Sequence, residues 1–517
     1  MSKWVAIGVY FWYHYPTVSI FSEVCFLDFS NLYFIYIWLP LVLLVYFLTR
    51  QMRWKNYVLA GFSLFFYAMG QPVYLALLIG LTYVNFGLAG RICPGNRRSV
   101  LVPVALNIGV LALFKYLDFL LGIFGISAGD GLLLSAVRWI LRGLNAIGFA
   151  FAEPDTVLPI GISFYTFSMI SYFVDIYREK VEPEKHFKSL LLYVCLFPKL
   201  LQGPIVRYEQ MRFQLHHRRV APKTVFDGAA RFTIGLAQKV LLADYCARII
   251  SELTVMGAHT SFVGAWLSAV MYMFRIYFDF SGCTDMAIGL GAMFGFTFCE
   301  NFDLPYTARS ITDFWRRWHM SLGTFFRDYV YIPLGGNRRG FQRQILNMLA
   351  VWGLTGLWHG ASWNYVLWGL YFFALLVAEK RFSTELEKIP VPGRHAITLL
   401  LLLFGWVLFA HEDFGQLGAA LAGMFGFGGF AGAGAGLKLL NSLPLMAACA
   451  FGCTALPRKA AEHWHDLCGM GQGDPEELTP WKAAYVISVF FLMVVLLWLC
   501  TVSLVGGTSA PSIYGNF

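Results

Sequence analysis

The chain has 517 residues, of which 58% are hydrophobic and only 13% are charged, and its mean hydropathy is +0.60. A core of this length cannot bury so much apolar surface, so a soluble globular protein is excluded and lipid must cover the remainder. The formal net charge of +9 lies beside apolar segments rather than on a polar domain, which argues against a nucleic-acid-binding function.

Long apolar segments follow one another along almost the whole chain. A helix needs about 20 predominantly apolar residues to cross a bilayer, and several of these segments are shorter or are interrupted by glycine. We therefore expect an all-α polytopic membrane protein with roughly eleven to thirteen crossings, together with re-entrant and in-plane helices. The candidate segments are 31–48, 56–69, 73–90, 100–123, 158–177, 190–206, 229–250, 262–280, 284–298, 345–358, 362–378, 397–410, 417–439, 443–456 and 483–505.

We interpret residues 1–517 as a single integral-membrane domain, because the sequence shows no fixed-period repeat and no long linker. Residues 1–25 are interpreted as an N-terminal extension that is rich in aromatic residues and lacks the cleavage site of a signal peptide. No metal site is predicted, since the two histidines at 463–465 have no second ligand cluster. The ten cysteines are scattered and do not suggest a disulfide framework.

Basic residues concentrate in three stretches, at 50–55, 207–219 and 309–343. The positive-inside rule places these stretches on the cytoplasmic side of the membrane. The alternative, which stays open, is that they only set the topology and contact anionic headgroups.

Residues 299–344 are predicted to form an amphipathic segment on the cytoplasmic side. At about 100° per residue, the stretch 310–330 places aromatic side chains on one face and charged side chains on the other. Ser310, with Asp313 three residues later, is typical of a capped helix start. We therefore expect one helix that lies in or against the membrane rather than crossing it.

His319 lies at the edge of the aromatic face of this helix, in line with Trp315, while Arg316, Arg317 and Arg327 face the cytoplasm. A titratable imidazole among apolar side chains is costly unless it has a function, so His319 is a candidate catalytic residue. The alternative is that it is one more residue of an interfacial anchor.

His359 lies at a break between two apolar segments, with Gly356 before it and Asn364 after it. Small residues at this break let helices or a substrate approach closely, and a deep imidazole can act as a general base. Asn364 could orient the ring or stabilise an oxyanion. The alternative is a buried neutral histidine that makes only a structural hydrogen bond.

Asp279 and Asp285 are functional candidates because acidic residues are rare in apolar segments, with pairing to Arg275 as the structural alternative. Two classes of function remain open at this point. One is a membrane-embedded acyltransferase in which a histidine acts as general base on a hydroxyl. The other is a transporter that relays protons, which usually contains inverted repeats.

Several motifs occur in order between residues 158 and 364. They are LPIGISFYTF at 158–167, FPKLLQGPIVRY at 197–208, YFDFSG at 277–282, ENFDLPY at 300–306, SITDFWRRWHMSL at 310–322, FRDYVYIPLGGNR at 326–338 and LWHGASWN at 357–364. This series closely resembles the membrane-bound O-acyltransferase family. Within the family it is similar to the bacterial alginate O-acetyltransferase branch, whose members also serve peptidoglycan, cellulose and other exopolysaccharides.

The resemblance implies a ring of helices around a central tunnel, in which a cytoplasmic acyl donor meets an acceptor from the outer side. It implies that His359 is the general base and that His319 positions the donor or the reacting carbonyl. The implied donor substrate is acetyl-CoA, with no bound cofactor. The substrate- and donor-binding residues expected with the two histidines are Asn364, Arg316, Arg317, Arg327, Trp315 and Asp279.

The same resemblance implies an extracytoplasmic acetyltransferase or acceptor protein as partner, and acetylation of a polysaccharide such as alginate, cellulose or peptidoglycan. It also implies a multi-pass protein of the bacterial inner membrane. The alternative within the family is D-alanyl transfer from a carrier protein to teichoic acid, since similar motifs occur there. A proton-coupled transporter is the least favoured interpretation, because it leaves the order of the motifs unexplained.

Overall fold

The computed structural model of the chain describes residues 28–123, 132–146, 158–432, 434–470, 479–507 and 510. Among these residues the regular structure is helical and none lies in a β-strand, so the predicted all-α class is confirmed. The predicted N-terminal extension, residues 1–25, lies outside the described residues.

Thirteen helices, numbered in chain order, lead up to the segment that contains His319. Their ends follow local chemistry: Pro72 occupies the first turn of α3, where its missing N–H is not needed, and Asn96 caps α4 by accepting a hydrogen bond from Arg98 N–H at 3.1 Å. The helices are α1 (Leu39–Leu48), α2 (Met52–Gly70), α3 (Pro72–Ala89), α4 (Arg97–Lys115), α5 (Leu117–Ile123), α6 (Leu132–Ala146), α7 (Ile162–Tyr177), α8 (Phe187–Cys195), α9 (Phe197–Leu200), α10 (Tyr208–His217), α11 (Pro222–Ala237), α12 (Asp244–Val255) and α13 (Phe262–Met293).

Ten further helices contain the candidate site and the C-terminal part of the described chain. Segments of π-helix at Phe34–Trp38, Gln238–Ala243 and Arg327–Tyr331 adjoin α1, α11 and α15. The helices are α14 (Ile311–Arg317), α15 (Met320–Phe326), α16 (Phe341–His359), α17 (Trp363–Arg381), α18 (Ser383–Glu387), α19 (Val391–Ala410), α20 (Phe414–Met424), α21 (Ala435–Gly452), α22 (Leu456–Leu467) and α23 (Pro480–Val505).

Five helices of the described chain are long and apolar enough to cross a membrane, namely α3, α4, α19, α21 and α23. Several apolar spans in one chain define a multi-pass membrane protein. The larger number of crossings expected from the sequence, and the central tunnel, stay predictions.

Two segments expected as separate crossings, 262–280 and 284–298, belong largely to the single helix α13. The prediction of two separate segments was wrong, because Gly282 between them serves close packing instead of a turn. A Cβ on Gly282 would lie 2.6 Å from the carbonyl oxygen of Gly235 on α11, and the reverse distance is also 2.6 Å. Because Gly235 and Gly282 have no side chains, the backbones of α11 and α13 can come into contact here.

The candidate crossing at 190–206 is not one helix either. The short helices α8 and α9 are separated at Leu196, and the chain from Leu201 to Arg207 is not helical. Pro198, Gly203 and Pro204 explain the interruption, since proline and glycine disfavour a continuing helix.

Helices α16 and α17 form a tight helical hairpin that holds His359 at its bend. A Cβ on Gly356 would lie 2.4 Å from the carbonyl oxygen of Tyr365, and one on Gly369 would lie 2.5 Å from that of Trp352. The close approach expected around His359 is therefore confirmed for Gly356.

Candidate active site

The amphipathic helix expected from Ser310 onward is broken at His319. Its start is as predicted, since the Ser310 hydroxyl accepts a hydrogen bond from the N–H of Asp313 at 3.0 Å. However, α14 ends at Arg317, and His319 adopts φ 44° and ψ 54°. This left-handed conformation costs a non-glycine residue about 1–2 kcal/mol. The prediction of one continuous helix was therefore wrong.

Asn301 holds the break from a preceding loop. Its carbonyl oxygen accepts a hydrogen bond from Met320 N–H at 2.9 Å, and its side-chain Oδ1 accepts one from Ser321 N–H at 3.1 Å. The same Oδ1 lies 3.0 Å from Nδ1 of His319. Asn301 thereby satisfies the first N–H groups of α15, which explains why the chain tolerates the strained residue.

The His319 ring is enclosed by aromatic side chains and is only 3% exposed. Phe280 contacts it edge to face, with ring centroids 4.7 Å apart, and Trp358 lies 5.7 Å away. His319 lies outside the candidate membrane spans. Burial lowers its pKa to about 3, so the imidazole is neutral at pH 7.

His359 is the last residue of α16 and is 2% exposed. Its ring centroid lies 4.7 Å from that of Trp358, 4.9 Å from Trp368 and 5.1 Å from Phe409. Three rings around one imidazole fix its orientation and keep water from it.

Two polar residues that follow each other at the end of α4 hold the helix end that presents His359. The ammonium of Lys115 donates a hydrogen bond to the carbonyl oxygen of Trp358, and the Tyr116 hydroxyl donates one to that of Leu357 at 2.7 Å. The last carbonyls of α16 have no helical partner, so these donors satisfy them. The sequence reasoning missed both residues, because nothing local in the sequence connects them to His359.

His319 and His359 line the same cavity, which has a volume of about 300 Å³. Both imidazoles are buried to a similar extent, with His319 3% and His359 2% exposed. The remaining walls are largely aromatic and aliphatic. They include Trp315, Trp318, Leu322, Phe326, Met348, Val351, Trp352 and Leu376.

Three exposed cations, Arg316, Arg327 and Lys380, also line this cavity. Arg316 and Arg327 were predicted, as was Trp315 on the wall, whereas Lys380 was missed. Its position at the end of an apolar helix gave no signal beyond that of an ordinary interfacial lysine. The cavity therefore joins two buried histidines to three exposed cations.

The other predicted binding residues lie away from the cavity wall. Asn364 is buried and donates a hydrogen bond to the carbonyl oxygen of Phe409 at 3.2 Å. Arg317 donates one to Asp313 at 2.8 Å. Neither position supports the predicted contact with a donor.

Asp279 belongs to a buried ionic cluster rather than to the cavity. Its carboxylate lies 3.3 Å from the ammonium of Lys239, which also pairs with Asp244 at 2.5 Å. All three side chains are at most 2% exposed. The position of Asp279 therefore indicates a structural ion pair and gives no support to donor binding. Asp285 similarly pairs with Arg231 at 2.8 Å.

A cavity lined by two buried histidines and by aromatic side chains, inside a multi-pass helical protein, suits acyl transfer. In such a reaction a base must act on a hydroxyl before water hydrolyses the activated donor. The site thus defines a membrane-embedded acyltransferase.

Comparison with known proteins identifies the family. The model of the MBOAT, membrane-bound O-acyltransferase, family matches residues 178–410. The chain is 38% identical over 408 residues to the probable alginate O-acetylase AlgI of Pseudomonas syringae pv. tomato, which covers 77% of this chain and 75% of the relative. It is 32% identical over 445 residues to the peptidoglycan O-acetyltransferase of Helicobacter pylori, and the match covers 78% of this chain and 80% of the relative. The chain belongs to the membrane-bound O-acyltransferase family.

These relatives also confirm the predicted branch, that of alginate O-acetylase and its peptidoglycan counterpart, and with it an enzyme that transfers acyl groups to hydroxyls. Similarity to the teichoic acid D-alanyltransferase of Bacillus subtilis is partial, with 28% identity over 284 residues, 49% of this chain and 69% of the relative.

Proposed function

We propose that this protein takes an acetyl group from acetyl-CoA at the cytoplasmic face of the bacterial inner membrane for O-acetylation of an extracytoplasmic polysaccharide. The observation that carries the proposal is the single cavity that joins two buried histidines to three exposed cations. The names of the relatives make alginate and peptidoglycan candidate polymers, and cellulose is a third.

In the proposed reaction His359 is the general base. The acceptor oxygen attacks the carbonyl carbon of the thioester while its proton passes to the imidazole of His359. The carbon–sulfur bond then breaks, and the proton moves from His359 to the departing thiolate. The aromatic walls exclude water, which protects the thioester from hydrolysis.

The cations at the cavity hold the donor in this proposal. The phosphates of acetyl-CoA contact Arg316, Arg327 and Lys380, and the apolar walls accept the uncharged arm that carries the thioester. The reaction needs only side chains and the two substrates, so we propose no resident cofactor.

We further propose that the acceptor is a hydroxyl of an extracytoplasmic acetyltransferase or acceptor protein. The two histidines are buried at this aromatic-walled cavity, so the attacking hydroxyl must be one that can enter it, as a side chain of a partner protein can. An intermediate protein would then pass the acetyl group to the polymer.

The second candidate is D-alanyl transfer from a carrier protein, which the partial similarity to the Bacillus subtilis enzyme favours. Proteoliposomes containing the purified protein separate the two donors. Labelled acetyl-CoA and a labelled D-alanyl carrier are supplied in parallel, and the label bound to an outer hydroxyl acceptor is measured. We expect label from acetyl-CoA; label only from the carrier would contradict the proposal.

Donor binding has its own test in Arg316→Gln. An exposed charge pair is worth up to about 1 kcal/mol, so KM for acetyl-CoA should rise by roughly fivefold while kcat changes little. The matched control is Arg248→Gln, which removes an exposed arginine paired with Glu252, far from the cavity in sequence. Equal KM values for acetyl-CoA in both variants would count against the proposed role of Arg316.

A further inference from the structure

Three hydrogen-bonding groups converge on one oxygen beside the cavity. Oδ1 of Asn301 accepts hydrogen bonds from the N–H of Ser321 at 3.1 Å and from its hydroxyl at 2.9 Å. The Ser321 hydroxyl in turn accepts one from Ile205 N–H at 3.1 Å, so its own proton points to Asn301. The third group is Nδ1 of His319, at 3.0 Å.

This arrangement fixes which way the Asn301 amide points. A backbone N–H can only donate, so the Asn301 atom that faces Ser321 N–H must be the carbonyl oxygen. The opposite orientation would place two donors against each other in a site with no exposure to solvent. The amide nitrogen instead lies 3.5 Å from the hydroxyl oxygen of Thr284.

The orientation of Asn301 also decides the tautomer of His319. An amide oxygen only accepts, so Nδ1 of His319 must carry the proton that it donates to Oδ1. A neutral imidazole has one ring proton, which leaves a lone pair on Nε2. Nε2 is buried and has no hydrogen-bond partner among the described residues, and His319 lines the cavity.

We infer that Asn301 is a positioning residue that holds His319 in the Nδ1–H tautomer, so that Nε2 accepts a hydrogen bond from an N–H or O–H group of the substrates. The tautomer follows from these contacts alone, whereas the identity of the donating group rests on the proposed acetyl transfer. A neutral His319 in this tautomer does not donate to the thioester carbonyl, which revises the role expected from the family resemblance.

Two parts of the substrates offer the required donor. One is an amide N–H in the arm of acetyl-CoA, which fits the proposed reaction because the acceptor hydroxyl gives its only proton to His359. The other is that hydroxyl itself, which would make His319 instead of His359 the base. Phe280 and Trp358 hold the ring in place, so Nε2 keeps one direction and selects a donor at one position.

The tautomer is measured directly by nitrogen-15 NMR of histidine-labelled protein in proteoliposomes, since protonated and unprotonated ring nitrogens resonate in separate regions. The signals of His319 are assigned by their loss in His319→Ala. We expect a protonated Nδ1 and an unprotonated Nε2 near pH 7. A protonated Nε2 in the wild-type protein would overturn the inference, whichever donor the enzyme uses.

Three variants connect the tautomer to turnover. Asn301→Leu keeps the approximate volume and removes the acceptor, so the Nδ1–H preference should be lost and kcat/KM should fall by roughly tenfold to hundredfold. Ser321→Ala removes the hydroxyl from the same network but keeps the hydrogen bond between Asn301 and Nδ1 of His319. The tautomer should therefore persist, and kcat/KM should fall less than in Asn301→Leu. The control is Asn85→Leu, which removes a buried amide that pairs with Asn107 and should change neither the tautomer of His319 nor kcat/KM.

The kinetic constants of Asn301→Leu distinguish the two sources of the donor. A raised KM for acetyl-CoA assigns the amide N–H to Nε2. A lower kcat with unchanged KM for acetyl-CoA assigns the acceptor hydroxyl, and it would move the role of general base from His359 to His319. Equal losses in Asn301→Leu and Ser321→Ala, with an unchanged tautomer in both, would show a purely structural role and overturn the inference.

Discussion

The replacement of Gly356 by alanine tests whether the tight hairpin of α16 and α17 places His359. The new Cβ would lie 2.4 Å from the carbonyl oxygen of Tyr365 and 3.4 Å from Cα of Gly369. Both neighbours are backbone atoms, so the two helices must separate by about 1 Å to restore van der Waals contact. Such overpacking costs about 1–3 kcal/mol of stability.

His359 follows Gly356 by one helical turn, so it moves with the displaced backbone. A misplacement of about 1 Å in a catalytic group can cost about a hundredfold in rate, so Gly356→Ala should lose most activity even where the protein still inserts. The assay is transfer of labelled acetyl groups from acetyl-CoA in proteoliposomes, at equal protein amounts determined by immunoblot.

The matched control is Gly353→Ala on the same helix, where an added Cβ meets nothing within 4 Å. Alanine there should leave activity unchanged and stabilise the helix by up to about 1 kcal/mol. Full activity of Gly356→Ala, or equal damage from both variants, would refute the role assigned to this close contact.

Two further predictions concern Lys115 and Lys239. Lys115→Met keeps the apolar stem but leaves the carbonyl of Trp358 without its donor, which costs about 1–3 kcal/mol and loosens the helix end that presents His359. Acetyl transfer should therefore fall about tenfold, and an unchanged rate would contradict this. Lys239→Met removes the cation that pairs with both Asp244 and Asp279, so the unfolding temperature in detergent should drop by an amount equivalent to about 3–5 kcal/mol. Wild-type stability would show that these ion pairs are dispensable.

Sequence patterns predicted the class of structure and singled out the two histidines that line one cavity, because both inferences depend on local chemistry. Apolar segments of sufficient length indicate a membrane protein wherever they occur, and an imidazole among apolar residues is costly at His319 and His359 alike. The helix cap at Ser310 was also predictable, since donor and acceptor lie within one turn.

Residues that act across long sequence distances were not predictable in this way. The break at His319 depends on Asn301, and the end of α16 depends on Lys115, more than two hundred positions earlier in the sequence. Asp279 was interpreted as a site residue because its partner Lys239 lies on another helical segment. Helical periodicity reports which face a residue occupies and not which distant residue meets it.

The most direct test of the central claim is the rate of acetyl transfer from acetyl-CoA by His359→Ala in proteoliposomes. Loss of a general base should lower kcat by about 10²–10⁴-fold while the protein remains folded in the membrane at normal abundance. A wild-type rate at normal abundance would contradict the assignment of His359 as the base of this cavity.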